Sequence, residues 1–214
     1  MERARLAVVI SGQGSNLQAL LDAGANPAWP ARVTAVISNR PDAPGLDRAT
    51  AAGVPARVLD HRAFASRDAF DGALAAALES TGADFVCLAG FMRVLGAAFV
   101  AAFAGRLVNI HPSLLPAFRG LAPQRQALAA GVRISGCTVH FVTPEVDAGA
   151  IIAQAAVPVH AGDSEDSLAA RIRAAEHRLY PMAVAALARG DVAYADGRAV
   201  IRKDPGLALL TQSA

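Results

Sequence analysis

The chain has 214 residues, 54% of them hydrophobic and 18% charged, with a formal charge of +2 when histidine is neutral. That length and apolar content suit an α/β domain with a real core and exclude a disordered or solvating chain. The basic residues are scattered with no run of Lys or Arg, so no nucleic-acid footprint is visible and any anionic ligand must be met by local groups.

The start, "MERARLAVVISGQG", offers only a short apolar run before a polar turn, too little for the apolar region of a secretion signal. The longest uncharged stretch, residues 6–21, contains Ser11, Gln13, Ser15 and Asn16, so it reads as no membrane span. The expectation is a soluble cytoplasmic protein.

"LAVVIS" predicts a buried strand, and "NLQALLDA", with Leu17, Leu20 and Leu21 at helical spacing, predicts the helix that follows it. "VTAVISN" and "PDAPGLDRATAAG" repeat that plan. A third unit is "ARVLD" with a helix over "SRDAFDGALAAALES", and a fourth is "DFVCLAG" with a helix over "VLGAAFVAAFAG". "RLVNIHPS" supplies a fifth strand. Strands alternating with helices predict a doubly wound, mainly parallel sheet with helices on both faces.

Beyond residue 133 the pattern changes. "SGCTVHFVTPEVDAGAIIAQAAVPV" holds two strand-like runs joined by a loop rich in Pro, Asp and Gly, which predicts antiparallel additions to the sheet. "DSEDSLAARIRAAEHRLYPMAVAALARG" predicts a long helix with Asp and Ser caps, kinked or interrupted at Pro181. Asp196-Gly197, between alternating residues, predicts a hairpin. With no linker and no repeat, residues 1–214 read as one domain.

The chemistry begins in the fifth strand. In an extended chain Asn109 and His111 share one face, an amide donor beside a titratable imidazole; taken alone they read equally well as a strand end satisfied by backbone or water. In the first turn, "SGQGSN", Gly12 and Gly14 stand at a strand-to-helix junction where backbone N–H groups can hold an anion. Leu17 stands where a dinucleotide fingerprint needs a third Gly, and Ser38 and Asn39 where it needs an acid, so NAD is disfavoured. A monophosphate on Gly14, Ser15 and Asn16 is the economical reading, a structural tight turn its alternative.

Asp147, in the loop "EVDAGAI", is ordinary turn chemistry unless that loop folds back toward His111, where its carboxylate would hold the imidazole and stabilise its charged form. Amide, imidazole and carboxylate together suit acyl-type transfer: the amide donates to a tetrahedral oxyanion and the imidazole takes the proton of an attacking amine. Cys87 and Cys137 lie in apolar runs without metal spacing and no Ser stands in an elbow motif, so direct transfer fits better than a covalent intermediate.

"VVISGQGSNLQAL", "VISNRPDAPGL", "DFVCLAGFMRVL", "RLVNIHPSLLPAFRG", "SGCTVHFVTPEVDAGAII" and "VPVHAGDSEDSLAARIRAAEHRLYP" resemble the phosphoribosylglycinamide formyltransferases, folate-dependent enzymes of purine synthesis, along nearly the whole chain. The resemblance implies the formyltransferase fold, with a nucleotide-phosphate half over about residues 1–100 and a catalytic and folate half over about residues 85–190. It implies that Asn109, His111 and Asp147 are catalytic, that Gly14, Ser15, Asn16 and Glu176 meet glycinamide ribonucleotide, and that Arg67, Met92, Arg93, Val94, Leu95 and Asn109 meet 10-formyltetrahydrofolate. That folate is the co-substrate; no metal, nucleic acid or membrane is implied, and the assembly is a monomer or homodimer. Without the resemblance, Met92, Val94 and Leu95 read as core, Arg67 and Arg93 as solvated helix residues, and Glu176 as a surface charge. His140, His160 and His177 read as structural.

One departure stands out: where many relatives carry histidines after "RGL", this chain has Ala122 and Gln124, which bears on nucleotide affinity more than on the chemistry. The rival readings are formyltetrahydrofolate deformylase and methionyl-tRNA formyltransferase, whose extra domains a chain starting its first strand at residue 6 is expected to have no room for, and a catalytically silent folate- or nucleotide-binding module.

Overall fold

The computed structural model describes residues 2–203. By contact the chain divides into two compact units, one up to Asn109 and one from Ile110 onward.

In the first unit β1 (Ala4–Ile10), α1 (Ser15–Ala25), β2 (Ala31–Ser38), α2 (Gly45–Ala51), β3 (Ala56–Val58), α3 (Arg67–Ser80), β4 (Phe85–Leu88) and α4 (Ala97–Ala102) alternate before β5 (Leu107–His111). Leu6, Ala7, Val8, Val9 and Ile10 are wholly buried, the continuous apolar run of a strand covered on both faces. β1 pairs in parallel with β2 and with β4, β2 with β3, and β4 with β5. The seven-stranded sheet has the order β3-β2-β1-β4-β5-β6-β7. The chain therefore winds outward from β1 to β3 and then crosses back to β4 on the other side of β1. Right-handed crossovers put α1 and α2 on one face and α3 and α4 on the other, and α1 packs on α2, α3 on α4. The reversal between β1 and β4 makes their carboxyl ends the crevice where such sheets bind ligands.

Local caps set the helix bounds. Ser66 opens α3 by accepting from Ala69 N at 3.1 Å. α4 is shorter than the predicted 94–105 because Gly96 is extended and its N–H donates to Asp71 Oδ2 at 2.7 Å instead of entering a helix.

The second unit holds α5 (Pro123–Ala129), β6 (Ile134–Phe141), β7 (Ile151–Pro158), α6 (Glu165–Ala188), β8 (Val192–Ala195) and β9 (Arg198–Ile201). α5 has no counterpart among the expected elements; its one local signal is Pro123 at its first position. β6 and β7 pair antiparallel, as expected, with an irregularity between Val139 and His140. α6 opens on a capping box between Ser164 and Ser167 and packs on both strands.

α6 runs on through Pro181, so of the two expected outcomes, a kink or a break, the break does not occur. An interior Pro costs roughly 3 kcal/mol, whereas burying each large apolar side chain returns about 1.5–3 kcal/mol. Leu168, Ile172, Leu179 and Val184 are all essentially buried on this helix, so packing outweighs the lost backbone bond. The β8–β9 hairpin turns at Asp196 and Gly197, with φ of 49° and 76°, the two left-handed residues of a type I′ turn. Among the described residues no helix is long and apolar enough to cross a membrane.

Candidate active site

β5 carries Asn109 and His111 two residues apart, so both side chains leave the same face of the strand. His111 is nearly buried, at 6% exposure, and both ring nitrogens face oxygen. Nδ1 lies 3.2 Å from Asp147 Oδ2, and Nε2 lies 3.0 Å from the Phe118 carbonyl. Each ring nitrogen thus has an oxygen within hydrogen-bond reach.

Asp147 comes to His111 because its loop folds back. It sits in left-handed backbone with φ of 50°, which Asp tolerates better than most residues. Two residues on, a Cβ at Gly149 would collide with the Phe141 carbonyl, so only Gly lets the backbone pass this close to the end of β6. Asp147 Oδ2 also accepts from Gly120 N at 2.9 Å. Segment 118–120 thus touches both members of the pair, Phe118 through its carbonyl and Gly120 through its amide.

The chain after His111 is pinned as firmly. Thr138 Oγ1 donates to Ser113 O at 2.7 Å and accepts from Leu115 N at 3.0 Å, while Gln154 Nε2 donates to Leu115 O at 2.9 Å. The Leu115–Pro116 bond, left open by the sequence, is cis.

His140, read as structural, lies beside this pair: its Nε2 is 3.7 Å from Asp147 Oδ1. Burial pushes its pKa below the usual histidine value, the main cause outweighing the Phe141 carbonyl and the Asp147 charge, which act upward. It is therefore neutral at neutral pH, with the proton on Nδ1 donating to Phe141 O at 2.8 Å. A polar ring in the otherwise buried strand β6 was the signal available for it.

Glu176 is buried on α6 rather than being a surface charge. Burial first, and then the Glu176 carboxylate, push the Cys137 thiol far above its usual range, so Cys137 is no nucleophile.

In the first unit, Gly14 precedes α1 with φ of 68°, and a Cβ there would lie 2.8 Å from Gly45 Cα. The turn thus needs this glycine for its own packing. No side chain caps the α1 N-terminus, and Ser15 and Asn16 form its first residues, the setting that suits an anion. Arg48 Nε donates to Gln13 O at 2.8 Å and steadies the turn.

Met92 and Val94 are 74% and 53% exposed, so the core reading fails for them and holds only for Leu95. Arg67 is exposed at the start of α3, beside Asp68 at 3.7 Å. Arg93 is not on a helix: it lies between β4 and α4 with its guanidinium 5.5 Å from the Phe70 ring centre.

The formyl transferase family profile matches residues 4–184 of the chain. The chain belongs to the formyl transferase family. Among its curated relatives, the chain is 57% identical over 190 residues to the trifunctional purine biosynthetic protein adenosine-3 of Drosophila melanogaster, covering 88% of the chain but 14% of the fly protein. It spans less than a fifth of the length of the trifunctional relatives from fly and cattle. It is 50% identical to the phosphoribosylglycinamide formyltransferase of Escherichia coli K12, covering 86% of the chain and 87% of that protein. A crystal structure of glycinamide ribonucleotide transformylase 1 from Symbiobacterium toebii superposes with a TM-score of 0.90 at 53% identity, covering 93% of this chain and 94% of that one. The predicted fold class, a doubly wound sheet with antiparallel additions, is the one observed.

Proposed function

We propose that this chain transfers the formyl group of 10-formyltetrahydrofolate to the amine of glycinamide ribonucleotide in purine synthesis. The amine nitrogen attacks the formyl carbon directly. A tetrahedral intermediate forms, the bond from that carbon to the folate nitrogen breaks, and the proton lost by the amine ends on the departing nitrogen. Asn109 donates to the developing oxyanion. His111 carries the proton, its Nε2 exchanging the Phe118 carbonyl for the reacting groups, and Asp147 orients the ring and stabilises its charged form.

The observation that carries this reading is the His111–Asp147 contact at 3.2 Å, closed over by Gly120 N on the same carboxylate oxygen. It is what a proton carrier needs and what a silent binding module has no use for. Gly14, Ser15, Asn16 and Glu176 serve the nucleotide in this reading, and Arg67, Met92, Arg93, Val94, Leu95 and Asn109 the folate. The folate is a co-substrate, and no metal or prosthetic group enters the chemistry. The protein works in the cytoplasm as a monomer or homodimer, without nucleic acid.

The test is a turnover assay of the purified chain with 10-formyltetrahydrofolate and three acceptors: glycinamide ribonucleotide, water and charged initiator tRNA. Formylation of the ribonucleotide alone supports the reading. Preferential hydrolysis, transfer to tRNA, or binding without turnover replaces it with a deformylase, a tRNA enzyme or a binding module.

A further inference from the structure

Among the almost wholly buried polar side chains of the first unit are Ser11 and Asn39, which directly follow β1 and β2, and Asp71 in α3, at 6%, 2% and 6% exposure. Burying such groups is costly unless each makes hydrogen bonds. Ser11 Oγ donates to Asn39 Oδ1 at 2.6 Å and accepts from Met92 N at 2.8 Å. Asn39 Nδ2 in turn lies 3.1 Å from His61 Nδ1. Asp71 Oδ2 accepts from Gly96 N at 2.7 Å. Ser11 and Asp71 come from different elements, yet both end on one stretch of backbone, segment 92–96, on the β4 side of the switch point.

Between these two pins the segment turns Met92 and Val94 outward, at 74% and 53% exposure, while Leu95 is buried and Arg93 lies over the Phe70 ring. Large apolar side chains left this exposed gain little from burial within the chain itself. They make a preformed apolar rim, the kind that receives a flat heteroaromatic ligand with little ordering cost on binding.

We propose that Ser11 and Asp71 are positioning residues which hold segment 92–96 in place for the folate co-substrate, through Met92 N–H and Gly96 N–H respectively. Asn39 directs the Ser11 hydroxyl by accepting its hydrogen bond, which leaves an oxygen lone pair facing Met92 N–H. The proposal rests on the formyl-transfer reading and extends it to residues that themselves need not touch the ligand.

The test compares Ser11→Ala, Asp71→Ala and Asp71→Asn in the full chain, measuring kcat, KM for 10-formyltetrahydrofolate, KM for glycinamide ribonucleotide, and Tm. Removing either pin should raise the folate KM roughly tenfold, the size of one lost hydrogen bond to a buried group. Saturated kcat and the ribonucleotide KM should stay within about twofold. Asp71→Asn, whose amide oxygen still accepts from Gly96 N–H, should restore the folate KM. An unchanged folate KM in Ser11→Ala, a parallel rise in both KM values, or no rescue by Asp71→Asn would overturn the proposal. Should Asp71→Ala not fold, Ser11→Ala must still raise the folate KM and Asp71→Asn must not. A wild-type chain that neither binds nor turns over 10-formyltetrahydrofolate would instead remove the formyl-transfer reading, a result distinct from any of these.

Discussion

Asp147→Asn isolates charge from geometry at the centre of the site. Gly120 N donates to Oδ2 at 2.9 Å, so an asparagine must keep its oxygen there, where it also faces His111 Nδ1 at 3.2 Å. Its NH2 group then replaces Oδ1, directed at His140 Nε2, 3.7 Å away in the native protein. Because burial keeps His140 neutral with its proton on Nδ1, that nitrogen is an acceptor and the amide fits. Asn also tolerates the φ of 50° at this position. The fold, the loop and ligand binding should therefore survive, and only the charge beside the imidazole is lost. At 3.2 Å and an effective dielectric of about 20, that charge is worth about 5 kcal/mol to an imidazolium, a ceiling just under 10⁴-fold in rate. We expect kcat to fall by about 10²–10⁴-fold with Tm nearly unchanged, measured with both substrates saturating and by thermal melting. Asp147→Ala should lose kcat and Tm together, since Ala in left-handed backbone costs about 1–2 kcal/mol and Gly120 N loses its acceptor. A kcat within about threefold of native in a folded Asp147→Asn protein would refute the reasoning and leave Asp147 an ordinary turn acid.

His111→Ala should lower kcat by about 10²–10⁴-fold with the sheet intact by circular dichroism; near-native kcat would remove His111 from the chemistry. Gly14→Ala and Gly12→Ala should separate packing from ligand approach. The first forces Ala into left-handed backbone against Gly45 and should lower Tm by several degrees. The second has no atom within 4 Å of the added Cβ and should melt like the native chain while weakening ribonucleotide binding; equal affinity would place the phosphate elsewhere. Asp163, which binds Arg171 at 2.8 and 3.0 Å and accepts from Ser167 and His160 N, is held well below the usual carboxylate range by these partners. A lowered folded pKa contributes stability that is complete above the unfolded value of about 3.9 and fades as pH falls toward the folded one. The Tm deficit of Asp163→Asn should thus be full at pH 7 and shrink below about pH 4; a deficit independent of pH would show that the charge is not what holds the corner.

Much of this protein is written in short-range chemistry. The run from Leu6 to Ile10 is a buried strand wherever it is placed, Ser66 and Ser164 mark helix starts because their hydroxyls meet amides three residues on, and Asp196-Gly197 turns a hairpin because both residues accept positive φ. Asn109 and His111 share a face by strand periodicity alone. What lay beyond sequence reading depends on sums over many contacts. Pro181 is carried through α6 by the apolar face packed beneath it, and Met92 and Val94, apolar enough for a core, stand exposed on a segment whose amides at 92 and 96 bond to Ser11 and Asp71. Asp147 meets His111 across 36 residues and Ser11 meets Met92 across 81, because the strand order brings together segments that no local pattern relates. Periodicity and caps act over one turn or one pleat and are legible in order along the chain. Proximity between distant segments is decided by which sheet edges and helix faces bury the most apolar surface together, and that competition is settled only in the folded molecule.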